Sequence, residues 1–317
     1  MKILVVGAGA VGSLFGARLA GAGHAVQLYG RTDHVAAVQA HGVRVEGTDP
    51  ATYHPGAVTD LREANSPDVV LLTVKTFDLG PASTSVARRF PAPATTLLPQ
   101  NGLNIEVAVA GALRSAGWSD PIPWLVRAVN SVPVTWMGPG VVRQAGRGEL
   151  ILQDPNVAGR SSASTALVYD LLSGAGIPVR VVPDLERELW RKALVNAAIN
   201  PVTAIHRVPN GRLLGPPYRG EARRLLREAQ RAAASVGFSF PDAEADRDLG
   251  RVVRATAENR SSMLQDRERG RPTEIDAISG EIVRTAAAHG VDLPETRAVI
   301  ARLRSVPPSA TVGAQSS

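Results

Sequence analysis

Residues 3–12 read ILVVGAGAVG, and this stretch decides the fold. Four apolar residues suit a buried strand, and Gly7, Gly9 and Gly12 follow at the G-x-G-x-x-G spacing. The helical pattern SLFGARLAGAG comes next, over residues 13–23. The glycines allow a tight turn, close backbone approach to a pyrophosphate, and close packing of helix on strand. The helix N-terminus then faces the phosphates. A lone glycine fingerprint is weak evidence, but here a strand precedes it, a helix follows, and a second strand, AVQLYG, comes next. Gly7, Ala8, Gly9, Ala10, Val11 and Gly12 are therefore expected to form a dinucleotide-binding loop.

The end of AVQLYG addresses the choice of cofactor. An NAD-preferring protein usually offers an acid to the ribose hydroxyls there, whereas this chain offers Arg31 first and Asp33 two residues on. The planar guanidinium suits a ribose 2′-phosphate, so NADP(H) is expected. Lys75, ending LLTVK, falls at the carboxyl edge of the sheet, where ligands of such folds bind.

Further β-rich runs DVVLLTVK, TTLLPQ and IPWLVRAV alternate with helical or loop segments, which implies βαβ units and a mostly parallel sheet. GPGVVRQAGRGELILQD reads as strands with glycine turns added to that sheet, and GIPVRVV as its last strand. After Pro183 the character changes to long helical patterns: DLERELWRKALVNAAIN, GEARRLLREAQRAAASVG, DRDLGRVVRATAENRSSMLQD and TEIDAISGEIVRTAAAHG. The expected fold class is α/β, with an N-terminal Rossmann-type dinucleotide-binding domain over 1–182. An all-helical substrate domain would occupy 183–305, and the aperiodic tail 306–317 is expected to be disordered.

Composition narrows the function classes. The chain has 317 residues, 44% of them hydrophobic, enough for a substantial core. With no cysteine there are no disulfides, thiol nucleophiles or thiolate metal sites. The histidines at 24, 34, 41, 54, 206 and 289 show no HExxH-like spacing, so no metal is expected. A strand directly after Met1 and the lack of a long apolar span read as a cytoplasmic protein without membrane contact. The net charge of +6 sits on arginines interleaved with acids, which fits a solvated helix face and a small anionic ligand rather than nucleic acid.

In the first helix after Pro183, Lys192, Asn196 and Asn200 are the polar residues of an otherwise apolar run, spaced four apart. At about 100° per residue they share a sector of about 80°. A solvent seam, with Glu188 and Lys192 as an i,i+4 ion pair, is one reading. One amine and two amides on a buried helix suit a ligand-cleft wall better. Asn200-Pro201 is expected to interrupt this helix. Asn210, in VPNGRL, falls at an Asn-Gly turn. Asn101, in PQNGLN, lies at the sheet's carboxyl edge. Ser262 could bind a carboxylate or back-bond within a helix. Glu274 follows Thr273, a candidate N-cap, and would place charge in a first turn.

GAGAVG, ELWRKALVNAAINPVTA, VPNG, ENRSSMLQD and TEIDAISG together resemble the ketopantoate reductase (2-dehydropantoate 2-reductase) family, from Met1 to about Leu303. The resemblance implies NADPH-dependent reduction of 2-dehydropantoate to pantoate, a step towards pantothenate and coenzyme A. It makes Lys192 the general acid, and places Asn196, Asn200 and Asn210 on the substrate with Ser262 on its carboxylate. Asn101 would touch cofactor and substrate, Glu274 the nicotinamide ribose end, and Arg31 with Lys75 the 2′-phosphate side. In RAVNSVPVTWMGPGVV the chain departs from the family pattern. Val134 is the match for a strand lining the cofactor site, and Pro133 and Trp136 are unusual beside it.

Other readings remain. A β-hydroxyacid dehydrogenase pairs a similar nucleotide domain with helices and a lysine, and the SSMLQD and TEID segments argue against it. His206-Arg207 could suggest a lactate-type His acid, and clustered Mg²⁺ carboxylates of a reductoisomerase are not evident. A reductase of another 2-keto acid, or an NADPH-binding sensor without chemistry, also fits the fold. The helical domain offers surfaces for a homodimer.

Overall fold

The computed structural model describes residues 1–157 and 162–305. The expectation for 306–317 lies outside the described residues. The chain divides into two compact units. The first comprises Met1–Gln100 and Asn104–Leu185; the second runs from Glu186 onward and takes in the short segment Asn101–Leu103.

The first unit contains β1 (Lys2–Val6), α1 (Ala10–Gly21), β2 (Ala25–Tyr29), α2 (Thr32–His41), β3 (Val43–Gly47), β4 (Ala51–Tyr53), β5 (Gly56–Val58), β6 (Val69–Leu72), α3 (Leu79–Arg89), β7 (Thr95–Leu98), α4 (Ile105–Ser115), β8 (Leu125–Asn130), β9 (Val134–Gly138), β10 (Val141–Gln144), β11 (Leu150–Gln153), α5 (Ser162–Gly174) and β12 (Val179–Val182). Eight strands form one sheet in the order β12-β11-β8-β7-β6-β1-β2-β5, parallel throughout except where β11 pairs antiparallel with β8. Because β2 and β6 lie on opposite sides of β1, the strand order reverses there, and its carboxyl end is the position where open α/β sheets bind ligands.

Alternation along β1 explains its place. Ile3 and Val5 enter one apolar cluster with Leu14, Phe15 and Leu28. Leu4 and Val6 enter another with Leu72, Leu98 and Trp118. Covered on both faces, the strand reads as a continuous apolar run, as buried parallel strands do.

The expectation that the whole of GPGVVRQAGRGELILQD joins the main sheet is corrected. Leu150–Gln153 does so, as β11, but β10 belongs to a second sheet ordered β4-β3-β10-β9. The outer edge of β8 is taken by β11, with Leu150 opposite Asn130. The chain leaves β8 at Ser131–Pro133, and β10 instead pairs parallel with β3. Burial drives this: Val43, Val45 and Val142 share the cluster that holds Phe15 of α1.

The second unit is helical: α6 (Leu185–His206), α7 (Tyr218–Ser235), α8 (Asp242–Ala255), α9 (Ser262–Glu268), α10 (Glu281–Ala288) and α11 (Pro294–Ser305), α6 beginning at the last residue of the first unit. A 3₁₀ turn spans Asn210–Leu214 and a π-helical turn spans Asp276–Gly280. Three expectations are corrected here. The pattern DRDLGRVVRATAENRSSMLQD is two helices, α8 and α9, separated over residues 256–261. α6 is not interrupted at Asn200-Pro201 but continues through Pro201 to His206. An interior proline costs about 3 kcal/mol, and the burial of Ala197, Ala198, Ile199, Val202 and Ala204 outweighs it. Thr273 is not the N-cap before Ile275, because the Glu274 carbonyl itself accepts from the N–H groups of Ala277 and Ile278.

The carboxylate of Glu228, on α7, is buried at 3% exposure and caps the start of α11. It accepts from the N–H groups of Glu295 (3.1 Å) and Thr296 (2.7 Å) and from Thr296 Oγ1 (2.7 Å).

Candidate active site

In the first unit, the glycine loop closes over the carboxyl end of β1. The N–H groups of Gly7 and Ala8 both donate to the carbonyl of Tyr29 at 3.1 Å, and Thr73 Oγ1 donates to the Gly7 carbonyl at 2.8 Å. Gly7 has φ +105°, and a Cβ there would lie 2.5 Å from the Val74 nitrogen. A Cβ on Gly12 would lie 2.4 Å from the Gly7 carbonyl. At Gly9 the situation reverses, since a Cβ would meet nothing within 4 Å. Gly7 and Gly12 are thus required by the protein's own packing, whereas Gly9 keeps an open approach for something outside the chain. Gly9 is also the N-cap of α1, whose first turn carries neither a side-chain cap nor an acid. Ala8 is buried, while Ala10 and Val11 are partly exposed. Such a helix start offers N–H groups and a positive dipole end to an anion, so the loop fits a dinucleotide pyrophosphate.

Arg31 is the N-cap of α2, with its side chain exposed, and Asp33 is exposed as well. Lys75 lies three residues beyond the end of β6 and is the N-cap of a 3₁₀ turn over Thr76–Asp78. Val134 opens β9 and packs against the core shared with Leu14 and Phe15.

Two residues of this unit were not singled out in the sequence. Gln100 Nε2 donates to the carbonyls of Leu72 (2.5 Å) and Val74 (3.2 Å), tying down the end of β6, while its Oε1 is buried without a partner. His34, at 2% exposure, has its Nδ1 accepting from the N–H of Gly140 at 3.0 Å and its Nε2 3.0 Å from Ser13 Oγ. Trp136 packs on its ring, with centroids 4.6 Å apart. Burial holds the His34 pKa below its ordinary value, with the Asp33 carboxylate opposing more weakly.

In the second unit, residues 193–195 and 197–199 of α6 are all buried. Lys192 and Asn196 are partly exposed and Asn200 is buried at 5% exposure. The Glu188 carboxylate lies 3.7 Å from the Arg191 guanidinium, which also pairs with Glu244 and Asp248.

Segments far apart in sequence meet around α6. Thr203 Oγ1 lies 2.7 Å from Ser261 Oγ, and Ser261 caps α9 by accepting from the Leu264 N–H. The Asn210 N–H donates to the Asn259 carbonyl (2.9 Å) and that of Gly211 to Ala257 (2.9 Å). The Asn210 side chain, 7% exposed, donates through Nδ2 to Thr256 Oγ1, and its Oδ1 is buried without a partner. Ser262, next to the cap, is exposed. Asn101 Nδ2 lies 3.5 Å from Glu274 Oε2, and Glu274 precedes the π-helical turn. Turns of that kind occur often at functional sites. His206 does not stand as a free acid: its Nε2 is 2.7 Å from Glu221 Oε2. Thr203, Thr256 and Ser261 left no signal in the sequence beyond lying inside the quoted segments. Among the described residues no group of His, Asp and Glu is arranged to hold a metal ion.

Residues 3–156 match the family description "Ketopantoate reductase PanE/ApbA", and residues 184–306 match its C-terminal counterpart. The chain belongs to the ketopantoate reductase family. It is an oxidoreductase of that family with a dinucleotide-binding fold. Among curated ketopantoate reductases, the 2-dehydropantoate 2-reductase of Archaeoglobus fulgidus is 33% identical over 306 residues, 96% of this chain and 97% of that protein. That of Halobacterium salinarum is 32% identical, covering 94% and 96%. The crystal structure of a PanE/ApbA family ketopantoate reductase from Ralstonia eutropha superimposes with TM-score 0.83 at 32% identity, covering 96% and 97%. A D-mandelate dehydrogenase solved with NADH shares the fold at TM-score 0.86 and 23% identity, covering 96% and 97%. No helix among the described residues is long and apolar enough to cross a membrane.

Proposed function

We propose that this chain reduces 2-dehydropantoate to (R)-pantoate with NADPH, in the supply of pantothenate and coenzyme A. The polar stripe of α6 carries the reading: Lys192, Asn196 and Asn200 line up on a helix whose intervening residues are all buried. The near full-length likeness to curated 2-dehydropantoate 2-reductases supports the substrate.

Gly7–Gly12 and the start of α1 bind the pyrophosphate through backbone N–H groups. Exposed Arg31 and partly exposed Lys75 receive the ribose 2′-phosphate, for which the arginine fork is shaped. Val134 lines the cofactor, and Asn101 with Glu274 holds the nicotinamide ribose end. The nicotinamide supplies the hydride to the keto carbon. As negative charge grows on the carbonyl oxygen, the Lys192 ammonium stabilises it by a hydrogen bond and then gives up its proton. General acid assistance of this kind contributes about 10²–10⁴-fold. Asn196, Asn200 and Asn210 orient the amine and the substrate without adding competing charge; the buried Oδ1 of Asn210 is an acceptor that no group of the protein satisfies. Ser262 meets the substrate carboxylate.

The test is loss of nicotinamide absorbance on adding 2-dehydropantoate, with NADH and 2-ketoisovalerate as controls. Turnover confined to NADPH with 2-dehydropantoate is the expected result. Turnover on another 2-keto acid alone would overturn the substrate, and NADPH binding without turnover on any would overturn the chemistry. Reduction of a different 2-keto acid is the second reading, favoured by the fold shared with a D-mandelate dehydrogenase.

A further inference from the structure

The segment Tyr29–His34 is fastened at both ends, and Arg31 lies between the two fastenings. At the first, the Tyr29 carbonyl accepts from the N–H groups of both Gly7 and Ala8. Gly30 follows so closely on the loop that a Cβ there would sit 2.9 Å from the Ala8 Cβ. At the second, the buried imidazole of His34 reaches Ser13 in the first turn of α1 and Gly140 in the turn joining β9 to β10.

Hydrogen positions follow from the donors. A backbone N–H can only donate, so the Gly140 N–H requires an unprotonated Nδ1. The ring is then neutral, with its hydrogen on Nε2 directed at Ser13 Oγ. The Ser13 hydroxyl is free to donate in turn to the Ala8 carbonyl, 3.3 Å away. A continuous chain of hydrogen bonds thus runs from Gly140 through His34 and Ser13 to the glycine loop. Trp136, packed on the imidazole, closes the remaining face.

Arg31 is the N-cap residue of α2, three positions before His34, so the imidazole sets where the first turn of α2 rests against α1. We propose that His34 is a positioning residue for cofactor choice, holding Arg31 at a fixed place beside the glycine loop so that its guanidinium meets a ribose 2′-phosphate. This rests on the NADPH reading above and adds to it a residue that would touch no part of the cofactor. Pre-organisation matters because an arginine on a freely moving turn must be ordered at the moment of binding, which costs affinity.

The test uses the full-length protein with NADPH and NADH titrated separately by quenching of tryptophan fluorescence. His34→Gln and Ser13→Ala are compared with wild type and with Arg31→Ala. Both tether variants are expected to weaken NADPH about tenfold while moving NADH less than about twofold, so that selectivity falls towards that of Arg31→Ala. Parallel weakening of both cofactors would make the imidazole merely structural and overturn the proposal. So would unchanged selectivity in folded tether variants while Arg31→Ala abolishes it, an outcome that leaves the NADPH reading intact. A wild type that binds both cofactors equally, with Arg31→Ala silent, would overturn the NADPH reading itself and the proposal with it. Ser13→Ala leaves α2 untouched, so it decides the matter if His34→Gln does not fold.

Discussion

Thr203 Oγ1 and Ser261 Oγ lie 2.7 Å apart, joining α6 to the cap of α9. The contact lies three residues beyond Asn200 and next to Ser262, so the helix that bears Lys192 and the residue expected to hold the substrate carboxylate share one anchor. The Thr203 hydroxyl also lies within hydrogen-bond distance of the carbonyls of Ile199 and Asn200. Around this anchor the motif residues become individually testable.

Lys192→Ala is expected to lower kcat by at least about 10²-fold while leaving the NADPH dissociation constant within about twofold of wild type. Steady-state kinetics with a separate binding titration checks this. Equal loss of cofactor affinity would make Lys192 structural.

Gly9→Ala and Gly7→Ala should separate binding from folding. A Cβ at Gly9 meets no protein atom, so this variant should keep its thermal midpoint and lose NADPH affinity. At Gly7, with φ +105° and a clash at the Val74 nitrogen, the same change should lower the midpoint by several degrees, a cost on the order of 1–3 kcal/mol. Calorimetry beside a cofactor titration reads both.

Asn210→Ala removes a bond to Thr256 and an unpartnered acceptor together. Stability should fall by about 1 kcal/mol, while KM for the keto acid rises about tenfold, as loss of a substrate hydrogen bond would require. A change in stability with KM unmoved would assign Asn210 to the scaffold alone.

Glu228→Gln keeps the shape of the side chain but replaces one acceptor oxygen with a donor facing N–H groups at the start of α11. The loss should be about 2–4 kcal/mol in chemical denaturation, with kcat of the folded enzyme unchanged.

The buried imidazole of His34 also predicts a pH effect. Ser13 Oγ, the Gly140 N–H and the Trp136 ring surround it, and Asp33 is the charge acting on it. Burial lowers its pKa in the folded state, so below the unfolded value of 6.5 the unfolded chain binds a proton that the folded chain refuses. The stability contribution is therefore intact above that pH and declines as pH falls through the folded pKa. Thermal midpoints of wild type should drop more steeply on acidification than those of His34→Gln; parallel curves would remove His34 as the source.

What the sequence revealed, and what it concealed, follows from the range of the interactions. β1, β6 and β7 are buried on both faces, so their apolar runs stand out locally. β4 and β5 have only three residues each, and β3 pairs with β10 about a hundred positions later, so no local pattern assigns them to their sheets. The stripe on α6 is legible because buried and polar positions alternate at helical spacing. The survival of that helix through Pro201 is not legible, because the burial that outweighs the proline comes from segments distant in sequence. For the same reason Arg31 can be recognised from its place after a strand, whereas His34 becomes meaningful only once Ser13 and Gly140 are brought to its two nitrogens.

The parallel pairing of β3 with β10 has a consequence for biosynthesis. The residues that complete the small sheet emerge about a hundred positions after β3, a long-range closure of the kind that slows folding. At a translation rate of about 5–20 residues per second, β3 and the flank of α1 it covers wait several seconds on the ribosome with an unsatisfied strand edge. The edge of β3 that β10 later occupies then presents unpaired backbone N–H and C=O groups, so the nascent chain is open to mispairing or chaperone capture during this interval.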